Sequence, residues 1–328
     1  MSVTEKKHDP HQQGGYDHGH HQKDHSKKYN DHGHHHHSKH EDKAPRIRKH
    51  SQWGDVWVRF RRNKLAVTGM VLAVFLILTA VLAPVLTPYD QAAQEVVNRF
   101  QMPSMAHLMG TDNYGRDLFT RVLYGGRTSL VVAFLALVFS VIIAIIVGTI
   151  AGYYGGWVEM VIMRLTDVIQ SVPPILFAVV VSAALGGGIW QTAIAVGISG
   201  VAPNVRLLRG QILSIRSQEY VEAAIATGSS NIAVMFKQIL PNVLSPLIVS
   251  ASMGIGGNIT AISGLSFIGL GVQPPTSEWG NIMTGGLDYI RQFWPMAVFP
   301  GIMIMLTLFA FNCAGDGLRD ALDPKLKQ

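Results

Sequence analysis

Charge is scarce in this chain. Lysine, arginine, aspartate and glutamate together make up 15% of its 328 residues, while 48% are hydrophobic. Five stretches, 65–86, 128–157, 168–205, 238–277 and 292–315, hold no acidic residue, lysine, arginine or histidine at all. A helix needs roughly 20 apolar residues to cross a bilayer, so each stretch is predicted to cross at least once. Cysteine is nearly absent. A single Cys313, inside the last apolar stretch, rules out an intrachain disulfide and a cysteine-built metal site, and reads as a packing residue. No Gly-Lys pair occurs, which excludes a phosphate loop of the Walker type, and the chain is not expected to hydrolyse ATP. Thirteen of fourteen histidines lie within residues 1–50, leaving only His107. With no serine, histidine and aspartate set and no paired carboxylates in apolar surroundings, the chain is expected to be a non-catalytic membrane protein. The first apolar stretch begins too far in, and is too long, for a removable signal peptide; it is expected to direct insertion itself.

What is present organises the chain. The stretch 168–205 is long enough for two helices, with Gly186-Gly187-Gly188 as a natural turn, which makes six predicted spans in an all-α polytopic fold. The third is placed from near Asp167, the fourth near Ile189, the fifth near Pro241 and the sixth near Phe293. The fourth is short and carries Gly197, Gly200 and Pro203. Arg59, Arg61, Arg62 and Lys64 precede the first span, Arg206, Arg209, Arg216 and Lys237 flank a polar segment, and Arg319, Lys325 and Lys327 follow the last. Positive residues favour the cytoplasmic side, so both termini and that polar segment are expected there. The loop after span one works against this with Arg99, Arg116, Arg121 and Arg127; Asp90, Glu95, Asp112 and Asp117 offset them little, since acidic residues count for little in the rule, so the even number of spans and the hairpin's location carry the rest.

Residues 1–50 are rich in histidine, lysine, aspartate and glycine and poor in large apolar side chains, a composition that cannot bury enough surface to fold. They are expected to form a disordered cytoplasmic tail. Its imidazoles, His34, His35, His36 and His37 foremost, are good ligands for nickel, zinc or copper, and the other reading is a solvated tail of no specific use. The histidines are scattered irregularly, unlike an expression tag. Over 51–64, Trp53, Trp57 and Phe60 share a helical face next to Arg59, Arg61 and Arg62. That pattern suits an amphipathic helix in the headgroup layer, touching membrane lipid, or a plain extension of span one. The membrane-spanning remainder is 65–328.

The polar segment at 214–241 reads Gln218-Glu219-Tyr220-Val221-Glu222-Ala223-Ala224-Ile225-Ala226-Thr227-Gly228 and runs on to Ile239-Leu240-Pro241. Glu219 to Ala226 favours helix, Gly228 supplies the positive φ of a tight stop, and Ser229, Ser230 or Asn231 can cap a second short helix. Pro241 fits the first turn of the next span. A helix, turn, helix hairpin at the membrane surface follows, and it is the segment expected to touch a partner; the bland reading is an ordinary amphipathic loop.

The spacing Glu-Ala-Ala, three residues, Gly, then Leu-Pro resembles the EAA loop of ABC importer permeases, with Gln238 where that family usually has isoleucine. Further stretches are similar to the C-type subunit of dipeptide and oligopeptide (and nickel) importers. Gly110-Thr111-Asp112-Asn113-Tyr114-Gly115-Arg116-Asp117, then Arg121, Tyr124-Gly125-Gly126-Arg127 and Ser129-Leu130, form the first external loop in this reading. Leu265-Ser266-Phe267-Ile268-Gly269-Leu270-Gly271, Gln273-Pro274-Pro275, Glu278-Trp279-Gly280 and Gly315-Asp316-Gly317-Leu318-Arg319-Asp320-Ala321-Leu322-Asp323-Pro324 follow. Ile262 departs from an acidic residue common there, which puts a polar gating role in doubt. The resemblance implies a type I ABC importer permease fold in the bacterial cytoplasmic membrane. It also implies a second permease subunit, two cytoplasmic ATPase subunits that hold ATP and Mg, an external substrate-binding protein, no cofactor on this chain and no nucleic acid. Glu219, Glu222, Ala223, Ala224, Gly228, Leu240 and Pro241 would dock the ATPase, and Asp112, Gly115, Arg116, Asp117 and Arg127 carry the loop motif. The cargo it implies is short peptides, with nickel or another small solute as the alternative.

An ion-coupled secondary transporter is the reading from another class, but its spans usually carry buried acids or histidines, which are almost missing here. A membrane scaffold leaves the hairpin unexplained. Arg164 and Asp167 can pair on one helix face; Pro173-Pro174 should bend span three; Gly254, Gly256 and Gly257 allow close helix approach.

Overall fold

The computed structural model describes residues 52–322. The histidine tail with His34 to His37, and the terminal Asp323, Pro324, Lys325 and Lys327, lie outside the described residues. Within them the regular structure is helical, with one isolated antiparallel bridge between Thr111 and Asp117 and no strand. The helices are α1 (Gln52–Arg62), α2 (Lys64–Val81), α3 (Ala83–Leu86), α4 (Leu118–Tyr154), α5 (Gly156–Gln170), α6 (Pro174–Leu185), α7 (Ile189–Arg216), α8 (Glu219–Ala226), α9 (Asn231–Ala233), α10 (Leu240–Phe267), α11 (Trp279–Leu287) and α12 (Pro295–Leu322).

The direction of each helix follows from its neighbours. α4 starts under the loop 87–117 and ends where the Tyr153 hydroxyl donates to Asn231 Oδ1 at 2.8 Å, beside α8. At 1.5 Å per residue its 37 residues span about 55 Å, so loop and hairpin sit at opposite ends of the bundle. α7 runs alongside α4 in the same sense, Gly197 against Ala136 and Phe139 and, further along, Ile212 against Gly152. α12 runs against α10, with Leu308 on Gly256 and Gly315 on Met253, and α2 runs against α12, with Gly69 on Cys313 and Ala66 on Gly317. The start of α2 and the end of α12 therefore share the hairpin's end. The opposite end is a cap made of 87–117, 268–278 and α11.

α2, α4, the helix from Asn231 to Phe267, and α12 are long and apolar enough to cross a membrane; the α5 and α6 pair makes up to five. The expected six is not reached on this criterion. α7 has the length, at 28 residues, but carries Asn204, Arg206 and Arg209, polar groups that α7 can hold because α4, α5, α6 and α10 pack around it. The third expected span is broken: α5 and α6 meet at 88°, and α6 alone, 12 residues or about 18 Å, is too short for a bilayer. The bend was predicted inside a span at Pro173-Pro174. Instead Pro174 starts α6 at the position where a missing N–H is harmless, and the chain turns at 171–173.

Two other boundaries moved. The expected external loop ends early, because the Asp117 side chain accepts from the Thr120 amide at 2.7 Å and caps α4; Leu118 to Leu130 are therefore helix. Pro241 stands in the first turn of α10 as expected, but the helical path does not begin there. From Asn231 the chain is helical through to Phe267, with a π-helical turn at Val234–Ile239 that accommodates the missing N–H of Pro241. Phe60, expected in the headgroup layer, is 4% exposed and packs on Ala66 and Ala321, whereas Trp57 stacks on it and stays exposed. Of Gly254, Gly256 and Gly257, only Gly256 meets a helix closely, at Leu308; Gly257 has open space around it. Arg164 reaches Asp167 at 3.8 Å, but the tighter partner of Asp167 is Arg206 at 2.5 Å, which ties α5 to α7.

Candidate functional site

Two sites emerge, one at each end of the bundle. At the hairpin, α8 ends in a Schellman motif: the Ser229 amide donates to Ala224 O at 3.1 Å and the Gly228 amide to Ile225 O at 3.0 Å, with Gly228 at φ +82°. The Ser230 hydroxyl accepts from the Ala233 amide and starts the return helix. Glu219 and Glu222 sit in the first turn of α8, where the helix dipole favours them.

The hairpin is fastened from beneath. Val221 is fully buried in a cluster with Leu208, Ile212, Val234, Ile239 and Val243, and Ala224 and Leu240 lean on it. The Asn242 side-chain amide donates to the Tyr220 hydroxyl at 3.1 Å and to Gln238 O at 2.6 Å, which joins α8 to α10. The seven residues expected to dock a partner thus divide. Glu219, Glu222, Ala223, Gly228 and Pro241 are exposed; Ala224 and Leu240 are half-buried and face this chain's own core. Four apolar side chains that pattern reading passed over, Tyr220, Ile225, Ile232 and Phe236, are also exposed on the hairpin, each by 42–66%. Their signal was visible as large residues in a polar segment.

At the cap, Asp112 is fully buried and its carboxylate is shared. Oδ1 accepts from the amides of Tyr114 at 2.8 Å and Arg116 at 3.0 Å, and Oδ2 from Arg116 Nε at 2.7 Å and from Arg121 Nη1. Gly115 makes the turn at φ +74°, and a Cβ there would lie 1.8 Å from Glu95 O. Asp117 caps α4 with Oδ2 and accepts from His107 Nδ1 at 2.9 Å with Oδ1. Of the five loop-motif residues, the fold thus brings Asp112, Gly115, Arg116 and Asp117 together; Arg127 sits apart, exposed on α4 beside an apolar groove of Ile77, Val131 and Phe134.

Arg121, Ser129, Ser277 and Glu278 complete the cap and were not assigned a role from sequence. Arg121 Nε donates to Ser277 Oγ at 3.4 Å. Glu278, buried, accepts from Ser129 Oγ at 2.9 Å and from the amides of Gly280 and Asn281, which starts α11. The Trp279 indole lies over Gly125 and Gly126 and donates to Val122 O at 2.8 Å. The Gly-Gly of the loop motif is thus the seat of a tryptophan 153 residues later in the chain.

Comparison with known proteins decides the family. Residues 144–328 match the model of the binding-protein-dependent transport system inner membrane component, and residues 51–103 match the N-terminal TM domain of oligopeptide transport permease C. The chain belongs to this permease family. It is 42% identical over 277 residues to the dipeptide transport system permease protein DppC of Alkalihalophilus pseudofirmus, covering 84% of this chain and 91% of that one. It is 37% identical to the oligopeptide transport system permease protein OppC of Bacillus subtilis over 85% and 91% of the two chains. To the glutathione transport system permease protein GsiD of Pectobacterium atrosepticum it is 40% identical over 84% and 92%. Among solved structures, an inward-facing MetNI methionine ABC transporter matches with a TM-score of 0.51 at 16% identity, covering 62% of this chain and 97% of that one, a likeness of fold. As a binding-protein-dependent ABC permease, the chain is a non-catalytic inner-membrane component that works with ATPase and substrate-binding partners. The secondary-transporter and scaffold readings fall with that assignment.

Proposed function

We propose that the chain is one of two different permease subunits in an importer of di- or oligopeptides, with two cytoplasmic ATPase subunits that bind ATP and Mg, an external substrate-binding protein and no cofactor of its own. The observation that carries it is the hairpin: a rigid, capped α8 with exposed apolar side chains, seated on a core shared with α7 and α10. A pull or push on α8 passes into both helices without first unfolding a loop. Closure of the ATPase pair would move this lever and rock the bundle between inward and outward openings. In this reading the hairpin and both chain ends are cytoplasmic, α1 lies against membrane lipid, and the cap faces the binding protein. Charge supports the orientation: Arg59, Arg61, Arg62, Lys64, Arg206, Arg209, Arg216, Lys237 and Arg319 cluster toward the hairpin's end.

The peptide cargo is supported by relatives whose names specify dipeptide, oligopeptide or glutathione transport. The histidines of 1–50 keep nickel as the second reading. Competition uptake in a deletion strain complemented with the chain, with and without residues 1–50, separates the two. Dipeptides and longer peptides should compete with each other and nickel should not, and tail removal should leave peptide uptake intact. Nickel accumulation that depends on the chain would reverse the order of the two readings.

A further inference from the structure

Two arginines of the cap share one carboxylate. Arg116 and Arg121 are 6% and 3% exposed and both bind the one carboxylate of Asp112. Among the described residues no other carboxylate oxygen lies within 4.0 Å of either guanidinium. Asp117 is taken up by Thr120 and His107, and Glu278 by Ser129 and two amides. Arg116 stacks over the Tyr114 ring at 4.7 Å, and Nε is its only guanidinium nitrogen with an acceptor among the described residues. Both arginines line a cavity of about 420 Å³, together with Gln94, Asn113, Asn281 and Tyr114.

Two buried guanidiniums around one carboxylate leave free donors in a pocket whose other walls are the amides of Gln94, Asn113 and Asn281 and apolar side chains such as Pro275 and Met296. A guanidinium fork matches a carboxylate geometrically, and donors at a buried site gain from an acceptor, so the remaining donors of the two arginines suit a second carboxylate. We propose that the cap cavity is a binding site for a solute carboxylate, and that its natural occupant is the free C-terminal carboxylate of the transported peptide. Every unmodified peptide carries that group whatever its side chains, so one fixed site serves a mixed cargo. The peptide identity rests on the proposed function; the carboxylate chemistry stands without it.

The test uses the assembled importer in lipid nanodiscs, without the binding protein, titrated by calorimetry with dialanine, with alanylalanine amide and with succinate. Dialanine should bind at least about tenfold more tightly than the amide, because the amide forfeits the charge-assisted hydrogen bonds. Arg116→Gln should remove the difference and Arg116→Lys retain part of it. The acid and amide comparison in the unaltered protein needs no variant, so a misfolded mutant cannot decide the outcome. Equal binding of acid and amide, with no succinate binding, overturns the site. Succinate binding that Arg116→Gln abolishes, with dialanine silent, keeps the site and overturns the peptide as its occupant. A preference for acid that appears only after the binding protein is added, or a carboxylate of the second permease subunit found in the cavity, overturns the proposal as well.

Discussion

Asp112 is the residue on which the cap turns. It accepts two backbone amides and two guanidiniums from full burial, so its loss leaves two like charges side by side with nothing between them. Removing one partner from a buried ion pair typically costs about 3–5 kcal/mol. Asp112→Ala should therefore lower the thermal unfolding midpoint of the purified chain markedly and reduce its yield in membranes; an unchanged midpoint would show that the cap contributes little to stability. Gly228 makes the opposite case. A Cβ there meets nothing within 4 Å, so the only internal cost of a side chain is the left-handed backbone, roughly 1–2 kcal/mol and less for Asn or Asp. Gly228→Asp is thus expected to leave the chain folded in the membrane while its new carboxylate obstructs whatever seats on the hairpin. ATP hydrolysis by the complex should persist as uptake falls. Normal uptake by this variant, measured alongside Gly228→Asn, would count heavily against the lever.

At the level of elements, α4 and α7 form the axis. Ala136, Ser140, Ala144, Gly148 and Gly152 recur every fourth residue of α4 and are all buried, a ridge of small side chains on which α7 lies closely. At Gly152 an added Cβ would stand 2.8 Å from Ile212, and at Gly148 3.1 Å from Leu208. Both of those α7 residues also form the floor under Val221 of the hairpin. Gly152→Leu should wedge the two helices apart, lower the unfolding midpoint and cut uptake several-fold even if the hairpin surface is untouched; intact coupling in a stably folded variant would show that α4 is not part of the transmission. This axis also explains what was and was not legible in the sequence. The alternation of charge-free and charged stretches located α2, α10 and α12 closely, since lipid tolerates only apolar side chains. It found the start of α7 at Ile189 but missed the start of α4 and the end of α7, because neither helix is bounded by lipid alone. α4 continues through Arg121 into a protein-lined cap, and α7 carries polar groups among its packed neighbours. Periodicity located the hairpin, with Gly228 where the helix stops, but not the π-helical turn, which depends on Pro241 lying within a continuing helix. The partnership of Arg121 with Asp112 could be suspected from nearness in sequence. The seating of Trp279 on Gly126 could not, since no pattern links residues so far apart in the chain.

For the whole molecule, the decisive quantity is which end of the bundle faces which compartment. The chain passes between its two ends along α2, α4, the bent α5 and α6 pair, α7, the helix from Asn231 to Phe267, and α12, and this even number returns α12 to the end where α2 began. In the proposed orientation the arginines and lysines around the hairpin favour the cytoplasm by the positive-inside rule; at the cap's end Arg116 and Arg121 are buried against Asp112, while Arg99 and Arg127 are exposed and count against it. One native cysteine makes the test direct. In a Cys313→Ser background, Ala93→Cys in the exposed loop before α4 should react with a membrane-impermeant maleimide added to intact cells. Ala226→Cys at the exposed tip of α8 should react only after the membrane is opened, and should be shielded once the ATPase subunits are present. If Ala226→Cys labels from outside, or if both sites label from one side, the hairpin cannot reach a cytoplasmic motor and the mechanical reading fails. If it labels from inside but ATPase subunits give no shielding, the orientation stands and the docking surface must be sought elsewhere on the cytoplasmic face.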